Sequence, residues 1–381
     1  MILKQCIGID ISKEKFNTCF SIIDDEQKVK VKASSKFRND SKGFEGLICW
    51  TKKHVLADVK LVFVMEATGV YYEQLAWFLY NLGYAVSVVL PTKSKRYIQS
   101  VGYKTKNDKI DAKGLAQMGS EQNLNLWQPL SKNIASLRTL TRELESLQSL
   151  KTSIGNQIHA IEHSYYQEKS TLRRLGQQLT LIDKQITVVK NQIEKSVNQD
   201  ELISERVEKM TSIKGVGLIT VASLIAETNG FALIENQSQL VSYSGYDIIE
   251  NQSGKHKGKT RISKKGNSHI RRALFMPAFN MVRYKVPAFT SLYTRLTNKG
   301  KEKMQAYVAI QKKLLIVLWT LWKKNTIYDN NYYSRYSGNK NLFPHSNDNK
   351  KGKKSEANGT GQINCPAQDE HYNKIFIASS L

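Results

Sequence analysis

The sequence predicts an α/β domain at the N-terminus, a long helical coiled coil after it, and a mainly α-helical C-terminal unit. Three observations carry this expectation. Over roughly the first 120 residues, strand-length apolar runs alternate with helical spacing. From position 137 to 193 the apolar residues step by three and four. Beyond 210 the helical period resumes, opening with SIKGVGLITVASLIAE.

Taken in order, QCIGIDIS, KFNTCFSII and VKVKASSKF read as three strands, and Ser41–His54 as a helix. VKLVFVMEA is a continuous apolar run of strand length. YYEQLAWFLYNLG has helical spacing and ends at Gly83, a residue suited to close a helix. AVSVVL is a further short strand stopped by Pro91, and KIDAKGLAQMG reads as a helix. Three strands followed by alternating helix and strand predict a mixed sheet.

In the middle, Leu137, Leu140, Leu144, Leu147, Ile154, Ile158 and Ile161 form one apolar stripe, with a polar skip at Lys151. Leu172, Leu175, Leu179, Ile182, Ile186, Val189 and Ile193 form a second. They describe an antiparallel pair of helices turning near 163–168. An intramolecular hairpin and a dimerisation coiled coil both fit. Dimerisation is preferred, because two isolated long helices bury little surface. From 325 onward the chain is rich in Asn, Ser, Lys, Gly and Tyr without a period, as in NDNKKGKKSEANGTG, and reads as a disordered tail. The expected domains are 1–125, 130–208, 209–324 and the tail 325–381.

Charge narrows the function. Lys and Arg number 57 against 33 Asp and Glu, a formal net charge of +24 over 381 residues. A field of that sign calls for a polyanionic partner, with nucleic acid the first candidate. Cys6, Cys19, Cys49 and Cys365 are widely spaced with no CxxC pair, which argues against a disulfide framework or a zinc ribbon and suits a reducing compartment. The opening MILKQCIGIDIS lacks a signal-peptide core. The apolar stretch AYVAIQKKLLIVLWTLW carries Lys312 and Lys313 and is too short between charges to span a bilayer. A soluble cytoplasmic protein with no membrane partner is expected. There is no HExxH, Walker loop or GxGxxG, and the histidines show no ligand spacing, so no zinc is expected.

Four acids stand out in the first domain. Asp10 lies mid-strand in GIDIS, where a lone carboxylate is costly to bury. Glu66 ends an apolar strand, at the edge where open sheets place ligands. Asp108 and Asp111, three apart at a helix start, share one face. If they converge, a divalent cation is the usual remedy for their mutual repulsion, and a pair of such ions clamps a phosphodiester. A plainer reading stands beside this one: Asp108 caps its helix, Asp111 is a favourable first-turn acid, and Glu66 pairs with a lysine.

In the last unit, Gly215 and Gly217 suit a helix-hairpin-helix whose backbone N–H groups face a phosphate, or an ordinary turn with a glycine cap. Residues 251–301 hold thirteen Lys or Arg and no Asp or Glu. Eight of these are Lys255, Lys257, Lys259, Arg261, Lys264, Lys265, Arg271 and Arg272. A one-signed run with glycines reads as a phosphate-binding loop. Ser253 and Ser263 lie within it, each able to contact a phosphate or, given a base or metal, to attack one.

Five blocks in one order resemble the DEDD transposases of IS110-type insertion sequences, relatives of the pilin-gene invertases. They are GIDISK at 8–13, MEATGVYYEQLAWFL at 65–79, KNDKIDAKGLA at 106–116, IKGVGLITVASLIAE at 213–227 and SGKHKGKTRISKKGNSHIRR at 253–272. The resemblance, which spans about 4–324, implies a RuvC-like N-terminal domain of ribonuclease H fold, with the acidic tetrad at Asp10, Glu66, Asp108 and Asp111 holding Mg²⁺ (or Mn²⁺). It implies a coiled coil and then a transposase domain whose nucleophilic serine is Ser253. Members act as homodimers or homotetramers, sharing acids of one subunit and the serine of another, and a structured bridge RNA guides their choice of DNA. This chain departs from the pattern after LVSYSG, where YDIIENQ puts Asp247 and Glu250 ahead of the serine. The leading expectation is therefore an RNA-guided DNA transposase or recombinase. The alternatives are a RuvC-like metal-dependent endonuclease of the junction-resolvase kind, without a covalent intermediate, and a non-catalytic nucleic-acid-binding protein.

Overall fold

The computed structural model describes residues 1–67, 69–103, 107–232, 234–250, 252–253, 256–258 and 260–331, with Ser253, His256 and Lys257 described by backbone alone. Lys255, Lys259 and the tail from 332 lie outside the described residues. The chain forms two compact units, Met1–Pro129 and Leu130–Leu381.

The first unit contains β1 (Ile2–Ile11), β2 (Lys15–Asp24), β3 (Val29–Arg38), α1 (Ser41–His54), β4 (Leu61–Glu66), α2 (Glu73–Asn81), β5 (Ala85–Val89), α3 (Pro91–Ser100) and α4 (Asp108–Glu121). The sheet order is β3-β2-β1-β4-β5. β2 is antiparallel to both β1 and β3, while β4 is parallel to β1 and β5. This mixed sheet, with its helices, fits the RuvC-like α/β expectation. α3 was not expected: Pro91 does end the strand, but it also occupies the first turn of a helix, where its fixed φ and missing N–H are tolerated.

β1, β2 and β4 are buried on both faces, so the two-residue period of each sorts its side chains into two cores, while β3 is an exposed edge. Ile7, Ile9, Ile11, Phe63 and Met65 pack with Phe44, Leu47, Leu75 and Leu79. On the other face, Cys6, Val62 and Val64 pack with Leu115 and Met118 of α4. Gly8 shares the α4 face with Cys6. A β-carbon there would run into the backbone of Ala112 and Ala116, so the absence of a side chain lets the helix lie against the strand.

The second unit contains α5 (Lys132–Glu162), α6 (Lys169–Asn198), α7 (Glu201–Thr211), α8 (Leu218–Thr228), α9 (Gln237–Ser244), β6 (Ile248–Ile249), β7 (Gln252–Ser253), β8 (His256–Lys257), β9 (Arg261–Ile262), α10 (Ser268–Ala273), α11 (Phe275–Arg283), α12 (Pro287–Asn298) and α13 (Lys303–Lys324). α5 and α6 pair as a hairpin. Ser131 caps the first through the Ile134 amide, and Glu168 caps the second through the Ser170 amide. Leu137, Leu144, Ile186, Val189 and Ile193 from the hairpin join one core with Val221, Ile225, Phe289, Leu314 and Trp322. Toward the turn the stripe is only half-buried, at Ile158, Ile161, Leu172, Leu175 and Leu179, while Leu150, Leu181 and Val188 lie off it and are exposed. Among the described residues no helix is long and apolar enough to cross a membrane.

The close approach at Gly8 yields a prediction. Gly8→Ala forces α4 off the sheet and lowers unfolding stability by about 2–3 kcal/mol, read from urea denaturation. The same change at Gly155, where a β-carbon meets nothing within 4 Å, has no such effect.

Candidate active site

Strand register brings two of the four acids together. β1 and β4 run parallel with Ile9 beside Met65, so Asp10 and Glu66 follow side by side. Alternation places both on the α4 face, in line with Gly8 and Val64. They stand at the C-terminal ends of adjacent parallel strands, where open sheets take ligands. Glu66 Oε2 accepts a 2.6 Å hydrogen bond from Ser94 Oγ of α3. Across β1 from Glu66, Asn17 of β2 pairs with Asp10. Its amide donates to Asp108 Oδ2 at 3.5 Å, linking the row to the start of α4.

Asp108 is not the helix cap. That role belongs to Asn107, whose side chain accepts from the Ile110 amide. Asp108 and Asp111 both lie in the first turn, where the helix dipole favours negative charge. Among the described residues no three His, Cys, Asp or Glu side chains lie close enough together to hold a metal ion. The donors at the strand ends and the first turn of α4 are nonetheless carboxylates, which is the chemistry of a hard divalent cation.

The basic loop of the second unit is a stepped ribbon. β6 pairs with β9, placing Ile248 opposite Ile262 and Ile249 opposite Arg261. Farther out β7 pairs with β8, placing Ser253 opposite His256. The base is closed by backbone bonds from Ser263 N to Asp247 O (2.7 Å), Lys264 N to Gly245 O (3.1 Å) and Asn267 N to Tyr243 O (2.8 Å). A β-carbon on Gly266 would strike the backbone of Gly245, which itself holds φ +73°. Ser263 is taken up in this base: its Oγ donates to Asp247 Oδ2 at 3.4 Å and accepts from Lys265 N at 3.2 Å. Arg271 is spent similarly, its Nη1 donating to the carbonyls of Ser244, Gly266 and Asn267. Arg272 pairs with Glu145 yet stays mostly exposed. Arg261, Lys264 and Lys265 are exposed. Gly217 caps α8, and Gly215, at φ +99°, packs against Asn280 and Tyr284.

Residues 7–167 match the DEDD_Tnp_IS110 transposase family, and residues 207–294 match the family described as Transposase IS116/IS110/IS902. The pilin gene-inverting protein of Moraxella bovis is 31% identical over 330 residues, covering 86% of this chain and 98% of that protein. The chain belongs to the IS110-type transposase family. It is thus an enzyme of DNA transposition and recombination, and DNA is its partner. The Moraxella lacunata pilin gene-inverting protein is equally similar, at 31% identity over the same lengths. Thermus thermophilus RuvC in complex with a Holliday junction substrate aligns over 32% of this chain and 99% of its own at 7% identity, with a TM-score of 0.26. An Aquifex aeolicus member of the Ppx/GppA family aligns over 86% and 92% at 10% identity, with a TM-score of 0.21. Scores that low decide nothing about the chemistry.

The transposase holds its basic loop through residues the sequence reading did not single out. Glu227, 2% exposed at the end of α8, accepts two hydrogen bonds from Arg142 of α5, at 2.7 and 2.9 Å, and one from Asn267 Nδ2 at 2.7 Å. Asn267 also caps α10, its Oδ1 accepting from the His269 and Ile270 amides. Tyr243 donates to the Glu227 carbonyl, and Tyr246 to Gln311. Glu145 takes His269 and Arg272. The signal for Glu227 was available: like Glu66, it is a lone acid closing an apolar run.

Burial alone would push the Glu227 carboxyl up. The Arg142 and Asn267 hydrogen bonds, with the charges of Arg142 and Arg138, outweigh burial and hold it below the usual carboxylate range. A carboxylate whose pKa is lower folded than unfolded stabilises the fold above its unfolded pKa, and that contribution disappears as pH falls through the folded one. The transposase therefore loses Tm as pH drops below about 4.5, and a Glu227→Gln protein loses less over that interval. At pH 7 the same variant is less stable by about 3 kcal/mol, since the Arg142 guanidinium is left without its charge partner. Thermal melts across pH read both effects.

Proposed function

We propose that this transposase cuts and rejoins DNA strands through a serine nucleophile, Ser253, assisted by the acids Asp10, Glu66, Asp108 and Asp111 acting with a divalent cation. The observation that carries the reading is the register of β1 against β4, which sets Asp10 beside Glu66 at the ligand-binding edge of the sheet. The Asn17 link to Asp108 supports it. Family resemblance adds the serine, and the engagement of Ser263 with Asp247 favours Ser253 over Ser263.

In this reading 1–125 and 209–324 carry the chemistry and 130–208 the assembly. The Ser253 hydroxyl attacks the phosphorus. A P–O bond to Oγ forms while the bond to a deoxyribose oxygen breaks; the serine proton passes to a base, and the departing oxygen takes up a proton. Rejoining reverses the exchange. Arg261, Lys264 and Lys265, with Lys255, Lys257 and Lys259, hold phosphate oxygens, as do the backbone amides at Gly215 and Gly217. Mg²⁺ or Mn²⁺ bound by the acids supplies Lewis-acid stabilisation of phosphoryl charge. A bridge RNA guides the choice of DNA in the cytoplasm, and the half-buried part of the α5–α6 stripe near its turn joins copies into a homodimer or homotetramer.

The test is a covalent-adduct assay. Protein, its flanking RNA and DNA bearing the element ends are mixed with Mg²⁺ and denatured, and DNA migrating with protein is read on a gel. The expected adduct disappears in Ser253→Ala. Asp10→Asn and Asp108→Asn cut at least 100-fold more slowly, a loss on the scale of removing one preorganised electrostatic group, while salt-sensitive binding stays nearly intact. Cleavage with no adduct would replace this reading with a metal-dependent endonuclease that uses water.

A further inference from the structure

On the α4 face of the first unit, register sets Glu66, Asp10, Asn17 and Lys36 in one row across β4, β1, β2 and β3. The next pair on that face is Lys15 opposite Arg38. The row passes from carboxylates through an amide to cations. It ends on β3, the sheet's edge, two strand spacings or roughly 10 Å from β1.

The two ends of the β2–β3 ribbon are charged differently. At the far end each lysine has its acid: Lys28 with Glu26, and Lys30 with Asp24. At the end nearest Asp108, Lys15 and Lys36 meet each other. Among the described residues neither forms an ion pair with a carboxylate. The approach of Lys15 and its charge push the Lys36 ammonium below its ordinary value, while Asp108 pulls the other way. Like charges facing each other on adjacent strands destabilise a sheet. Both lysines line one open cavity with Arg38, which pairs with Asp40 at 2.9 Å, and with Glu14.

We propose that Lys15 and Lys36, with Arg38 beside them, form a binding lane for the phosphodiester backbone of the DNA strand that passes over the acids. The phosphates supply the anion these lysines lack. The choice of DNA rests on the reading of the acids as the cutting site, since the strand crossing the row is then the one being cut. An open cavity that shares Lys36 with the row suits an extended polyanion better than a free phosphate.

The test compares two charge-matched double variants of the full chain, Lys15→Gln/Lys36→Gln and Lys28→Gln/Lys30→Gln. Each is titrated in EDTA with a labelled 40-base-pair duplex and with an RNA hairpin of equal length, over a range of salt. The first variant weakens duplex binding about tenfold near 0.1 M salt and lowers the salt slope by about two, one unit per lost phosphate contact. Its Tm is unchanged or higher, because a repulsion has been removed. The second variant binds within twofold of the parent. Equal weakening by both variants, or weakening toward RNA alone, overturns the lane. Binding in EDTA requires no cleavage. Failure of the cutting reading, seen as undiminished cleavage by Asp10→Asn, is therefore a separate result.

Discussion

The first unit depends on the contact between α4 and β1 at Gly8. Because the helix backbone rests on the strand there, the first turn of α4 is carried over the end of the row that holds Asp10 and Glu66. A larger residue at position 8 lifts the helix and moves Asp108 and Asp111 with it. The packing constraint and the placement of acids are thus one feature. Alternation does the rest: residues 7, 9 and 11 are committed to one core, which leaves 6, 8 and 10 no choice of face.

In the second unit the corresponding constraint is electrostatic. A carboxylate as buried as Glu227 is tolerated only with charge-assisted hydrogen bonds, and Arg142 and Asn267 provide them. The energetic return from such a buried pair is modest, since desolvation takes back most of the Coulomb gain. Its effect is positional. Asn267 cannot leave Glu227 without also uncapping α10, and α10 carries the arginine that clamps the base of the serine ribbon. The α5–α6 hairpin enters the same node through Arg142 and Glu145, so its base belongs to the core that supports the ribbon.

Much of this was legible in the residues because apolar period reports burial. All five strands of the first unit, with α1, α2 and α4, follow from it. α3 did not, because TKSKRYIQS is polar around and Pro91 reads as a stop as readily as a start. The ribbon strands did not, because two-residue strands have no period. Asp10 and Glu66 were conspicuous as charges inside apolar runs. Asn17 was silent, being an uncharged amide whose meaning comes from the residue opposite it. Asp108 was ambiguous between cap and site until Asn107 took the cap. Lys15 and Lys36 looked like ordinary solvated charges. Only strand register reveals that they are diagonal neighbours, Lys15 opposite Arg38 and Lys36 opposite Asn17.

The ribbon's supports come from distant parts of the chain: Arg142, Glu227, Asn267 and, through Tyr246, Gln311. The first unit, by contrast, is complete at residue 129. Domains fold in the order they leave the ribosome, at roughly 5–20 residues per second. About 180 residues separate these two points, so the acid face is assembled roughly 10–35 s before the last support of the serine loop has been synthesised. A chain released before α13 therefore has its acids in place but no fixed base beneath Ser253. Under the proposed serine chemistry, such a partial product holds its acids without a supported nucleophile.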